Sequence, residues 1–119
     1  MSNCSCGGTR LIFACSGCSD VGEIADKVSR LINKRGLAKM SCLSGVGAGL
    51  SGFVESAKGA CGNVTIDGCG VACSKKILEN IGITPRSFVL TEMGFEKGKT
   101  SSDEGTVETV MNNVLKDLN

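Results

Sequence analysis

The sequence predicts an α/β fold: a single-domain, three-layer sandwich with a four-stranded, mostly parallel sheet and helices on both faces, in the Rossmann or flavodoxin-like manner. Three observations lead there. Four short apolar or β-branched runs of strand length alternate with four amphipathic stretches of helical period. Between consecutive runs the helical stretch returns the chain to the same end of the sheet, and right-handed crossovers then cover both faces. A chain of 119 residues with 41% hydrophobic content also suffices for one core without disulfide support.

Each element has its own signal. Residues 1–9, MSNCSCGGT, are small and polar and read as a flexible arm, with Cys4 and Cys6 as exposed thiols able at most to pinch a metal. The α/β domain then runs over 10–119. Arg10 to Ala14 is a strand, and the turn Cys15-Ser16-Gly17-Cys18-Ser19 leads to Asp20, read as an N-cap with Glu23 three residues on. Val21, Ile24, Ala25, Val28, Leu31 and Ile32 make a helical stripe that Gly36 closes. Leu37 to Leu43 reads as the second strand, with Cys42 at its end. A Gly-rich turn over 45–49 follows, then a helix with Leu50, Phe53, Val54 and Ala57 on one face. Asn63 to Ile66 is the third strand. Cys73, Ile77 and Ile81 recur every four residues in the next helix, which stops at Gly82 before Thr84-Pro85. Ser87 to Thr91 is the fourth strand, and Glu92 to Thr100 is a polar loop that nothing obliges to be ordered. A Ser101-x-x-Glu104 capping box then opens the last helix, with Val107, Val110, Met111, Val114, Leu115 and Leu118 at strict helical spacing.

Composition narrows the chemistry. Thirteen basic against twelve acidic residues leave a net charge of +1 with no long run of either sign, which argues against nucleic acid or an anionic membrane as partner. Aromatics are 3%, all Phe, so base-stacking platforms are missing. The apolar run at 11–15 is too short for a signal or a membrane span, and a cytoplasmic protein is expected. Eight cysteines in such a chain point to metal or redox chemistry rather than a disulfide framework. There is no His, so a transition-metal site must be built from thiolates, which selects zinc, copper(I) or an iron-sulfur cluster. The partner to expect is a metal ion; nothing in the sequence names a protein partner.

The placement of the cysteines is the main observation. Cys15, Cys42 and Cys69 fall at the carboxyl ends of three successive strands, where ligands of parallel sheets bind. Cys73 joins them from the first turn of the third helix, where unpaired N–H groups and the dipole favour thiolate. Tetrahedral ligation by four thiolates closes the shell of zinc, the pattern of a structural rather than hydrolytic site. Lys75 and Lys76 lie close enough in sequence to offset part of the negative charge. Cys15-x2-Cys18 is a common zinc spacing, so Cys18 is a fifth candidate for four places. Cys61, at the amino end of the third strand, reads as an ordinary semi-buried thiol.

Cys15-Ser16-Gly17 with Asp20-Val21-Gly22, Cys42-Leu43-Ser44-Gly45-Val46-Gly47, and above all Ile66-Asp67-Gly68-Cys69 with Cys73 resemble the DGC family of small prokaryotic zinc-binding proteins. The resemblance runs from about Arg10 to Lys99. It implies that Cys15, Cys42, Cys69 and Cys73 are ligands of Zn2+. The expected function is therefore a non-enzymatic zinc-binding protein in which the metal is structural, stored, delivered or sensed.

Other readings compete. Cys15, Cys18 or Cys69 could be the activated thiolate of a redox or sulfur-transfer enzyme, and the same thiols could hold an iron-sulfur cluster. Gly47-x-Gly49-x-x-Gly52 matches the dinucleotide fingerprint, with Asp67 ending the next strand. Helix-against-sheet packing explains the same glycines. Asp67 and Glu92 could face the site, but Asp67 suits a helix cap and Glu92 a solvated position. A phosphatase-like loop at 15–22 is excluded, because no Arg stands at the required place.

Overall fold

The computed structural model describes residues 8–118, so the arm with Cys4 and Cys6 lies almost wholly outside them. Strands β1 (Arg10–Ala14), β2 (Lys39–Met40), β3 (Gly62–Asp67) and β4 (Arg86–Val89) form one sheet in the order β2-β1-β3-β4. All three pairings are parallel. Helices α1 (Asp20–Lys34), α2 (Leu43–Gly47), α3 (Ser51–Gly59), α4 (Cys73–Asn80) and α5 (Glu104–Leu118) complete the chain, with a short 3-10 helix at Leu90–Met93. The alternation of elements predicts the parallel sheet, and the order observed is the start of the flavodoxin-like one.

Side chains alternate across the sheet and divide the core in two. On one face Ile12, Val64, Ile66 and Phe88 pack with Val21, Ile24, Val28 and Ile32 of α1 and with Val107, Val110, Met111 and Val114 of α5. On the other, Leu11 and Phe13 meet Leu43 and Val46 of α2, Ala57 of α3 and Leu78 of α4. Three layers follow. No helix among the described residues is long and apolar enough to cross a membrane.

Several boundaries differ from the expectation, each for a local reason. The α1 N-cap is Ser19, whose hydroxyl accepts from the Gly22 N–H at 3.1 Å, and Asp20 is the first helical residue. The second strand shrinks to two residues because Cys42 turns the chain: its sulfur accepts from the Gly45 N–H at 3.3 Å and caps α2. The Gly-rich turn is thus partly helical. In α4 the fully buried row is Ser74 and Leu78, with Ile77 only half-buried. The α5 start is held by Asp103, which accepts from the Thr106 N–H at 2.8 Å, in place of the capping box at Ser101.

Leu78 is fully buried at the centre of the α2–α4 layer, whereas Leu50 is 53% exposed. Leu78→Ala is expected to cost about 3 kcal/mol in chemical denaturation, from lost transfer energy plus a cavity, and Leu50→Ala within about 0.5 kcal/mol of zero.

Candidate functional site

Chain order reverses between the two central strands: β1 leads out to β2, and the chain returns to β3 on the other side of β1. Crevices for ligands open beyond the carboxyl ends of strands at such a point. Here the loop after β1 and the loop after β3 enclose a cavity of about 170 Å³ lined by Cys15, Cys18, Cys69 and Cys73, with Gly17, Ser19, Asp67, Gly68, Val71, Ala72 and Lys97. All four cysteines are free. Cys15 and Cys69 are half-buried and Cys18 and Cys73 exposed, so the thiols grade from the floor to the rim.

Local sequence explains the approach of the two loops. A Cβ on Gly68 would stand 2.6 Å from the Gly22 nitrogen and 2.7 Å from the Val21 carbonyl carbon, and one on Gly22 would stand 2.7 Å from the Gly17 oxygen. Backbone therefore packs on backbone, and only glycine fits. Asp67 is buried, and its two oxygens accept from the Ser74 N–H at 2.8 Å and the Lys75 N–H at 3.2 Å. The α4 N-cap position itself, Ala72, offers no side-chain cap, so the carboxylate at the end of β3 satisfies the helix's first donors. In Asp67-Gly68-Cys69 the acid thus ties β3 to α4, the glycine admits α1, and the cysteine enters the cavity. Of the two roles open to Asp67 in the sequence, the structure shows the helix cap, and it also places the residue in the cavity lining.

Two residues beside the cysteines are held in the left-handed region: Ser16 at φ 57° and Ala72 at φ 53°. Non-glycine residues there are uncommon and store strain that the surrounding structure must maintain. One follows Cys15 and the other precedes Cys73.

A cation reaches the cavity from an unforeseen segment. Lys97 Nζ lies 3.9 Å from the Cys69 sulfur, while neither Lys75 nor Lys76 lines the cleft. The loop carrying Lys97 is pinned by Asp20, whose Oδ1 accepts from Gly98 N–H at 2.9 Å and whose Oδ2 accepts from Thr100 N–H at 3.0 Å. These bonds, Gly98 first, hold the Asp20 carboxyl below its ordinary value. A carboxyl lowered in this way adds stability above the ordinary Asp range and loses it as pH falls through the lowered value. No spacing in the sequence signals a contact across nearly eighty residues. The segment at 92–100, expected to have no required order, is thus tied at defined points, and Glu92 is exposed as expected.

Cys42 stands apart from the other four free thiols. It lines a separate cavity beside edge strand β2, with Leu11, Arg30, Lys39 and Phe53. Among the described residues, no three Cys, Asp or Glu side chains are gathered closely enough to hold a metal ion. The donor chemistry of the cleft suits a soft ion, yet the thiols as they stand do not form a ligand group. The glycine fingerprint runs from the end of α2 through Gly49, at φ 73°, into α3. It joins two helices rather than a strand to a helix, so the context a dinucleotide site requires is missing. Cys61, read as an ordinary thiol, is disulfide-bonded and lies at the opposite end of β3.

The chain belongs to the DGC domain family, whose sequence model matches residues 11–114. It is 34% identical over 88 residues to the "Anaerobic and virulence modulator AnvM" of Pseudomonas aeruginosa, covering 73% of this chain and 67% of that protein. No solved structure gives a significant match.

Gly68→Ala must displace backbone atoms of α1 and is expected to lower stability by about 2 kcal/mol, while Gly70→Ala, with open space around its Cβ, changes little. Asp67→Ala leaves one buried and one half-buried donor at the α4 start unpaired and is expected to cost roughly 1–2 kcal/mol. Equilibrium urea denaturation of the three variants checks both.

Proposed function

We propose, for this member of the DGC family, a non-enzymatic thiolate site that binds a soft metal ion, zinc before others, with Cys15, Cys18, Cys69 and Cys73 as donors. One observation carries the reading: four free thiols from two separate stretches of sequence line a single small cavity at the switch point of the sheet. With neither His in the chain nor a carboxylate other than the capping Asp67 in the lining, sulfur is the donor chemistry on offer. When bound, zinc would supply a closed tetrahedral link among its ligands. The protein's part is to bring the two loops together, to keep Cys69 and Cys73 near the α4 N-terminus, and to set the Lys97 charge beside the sulfurs. A metal held by thiols of both loops would couple site occupancy to local structure, which suits sensing better than inert storage. The name of the Pseudomonas relative, a modulator, supports the same direction. Family resemblance alone would put Cys42 in place of Cys18; the cleft favours Cys18.

A thiol redox reading stands second, on a specific observation. Four free thiols share the cavity, and a lysine nitrogen lies 3.9 Å from the sulfur of Cys69, an arrangement that suits thiol chemistry.

Elemental analysis of protein purified without oxygen and without a metal-affinity tag decides between them. The expected result is about one zinc per chain with no visible absorption, lost together with thermal stability in Cys15→Ser, Cys69→Ser and Cys73→Ser. Cys42→Ser is expected to keep its metal. Folded, metal-free protein in which Cys69 alkylates rapidly contradicts the metal reading and favours thiol chemistry.

A further inference from the structure

We infer that the loop over residues 94–100 is a latch closed by Asp20, and that it fixes Lys97 as a positive charge that makes the Cys69 thiol select anionic partners. The inference rests on the reading of the cleft as a thiol site, but not on a metal being bound. Lys97 is exposed and long, and such side chains ordinarily stay in water because holding them costs rotamer entropy. Here the backbone next to it is held on both carboxylate oxygens of Asp20, through Gly98 and Thr100. The loop is further braced by the Thr100 hydroxyl donating to the Glu96 carbonyl at 2.7 Å, and by Phe95, which packs against the α1–α5 core and donates its N–H to the Leu90 carbonyl at 3.1 Å. Lys97 forms no ion pair with a carboxylate among the described residues. Its ammonium donates to the Cys69 sulfur at 3.9 Å. Asp20 does not line the cavity, so it is a positioning residue. Lys97 acts on what approaches, through its charge.

A unit charge about 4 Å from an incoming anion contributes about 1 kcal/mol even at the dielectric of water. At Cys69 this predicts a preference for anionic over neutral reagents that is lost with the cation. The probes are iodoacetate and iodoacetamide, each of which gives a carbon–sulfur bond to Cys69, iodide as leaving group and the thiol proton to solvent. Site-resolved mass spectrometry of the full chain yields the ratio of the two rates at each cysteine. That ratio cancels differences in how much thiolate is present, and it is read whether or not zinc is bound. Lys97→Met is expected to lower the Cys69 ratio roughly three- to fivefold at low salt. Lys97→Arg should keep it. Asp20→Asn should lower it as Lys97→Met does and speed hydrogen exchange at the Gly98 and Thr100 amides, while the ratio at Cys42 stays constant in all variants. Unchanged Cys69 ratios in both Lys97→Met and Asp20→Asn overturn the proposal. Absence of zinc in the same samples would count only against the metal reading.

Discussion

The carboxyl edge of this sheet depends on one backbone contact, that of Gly68 with the first turn of α1. A side chain at 68 would drive a carbon to within 3 Å of three backbone atoms of Val21 and Gly22. Because that space is left empty, the loop after β3 lies directly on the loop after β1, and Cys15 and Cys18 come to share a cavity with Cys69 and Cys73. Parallel neighbours in a sheet are only about 4.8 Å apart, but their connecting loops normally diverge toward opposite faces. Here α1 and α4 do leave to opposite faces, and glycines at 22 and 68 let the backbone at the two starts touch all the same. Asp67 then closes the arrangement from below by capping α4, which sets where Cys73 enters.

The same contact explains why the motif reads as it does. A buried carboxylate on two helix amides, a residue without a Cβ and a thiol serve three physical needs at consecutive positions. Altering the first two would leave the thiol in place while the cavity around it changed. Strain at Ser16 and Ala72 fits the same picture, since both lie where a cysteine has to be turned into the cleft.

Much of this was legible in the sequence. The β1 bounds, the parallel sheet and the α1 and α5 stripes follow from apolar period and residue chemistry, signals that act over a few residues. What escaped was set by tertiary contacts. Cys42 reads as a strand end, but its sulfur accepts an N–H from Gly45 at the start of a helix, and it lines a different cavity from the other thiols. Cys18, one spacing among many, lines the cleft because Gly17 and Gly22 pack its loop inward. Lys97 sits in a segment of low apolar content, and the bonds that place it come from Asp20, a residue whose position at a helix start suggested only a cap. Lys75 and Lys76 are near in sequence yet do not line the cavity.

The most direct test of the account is X-ray absorption at the zinc edge on the intact protein and on Cys42→Ser. Four sulfur scatterers at about 2.3 Å, unchanged by removing Cys42, are the predicted result. Loss of one sulfur in Cys42→Ser, or oxygen scatterers in its place, would contradict the assignment of the site to the cleft between β1 and β3.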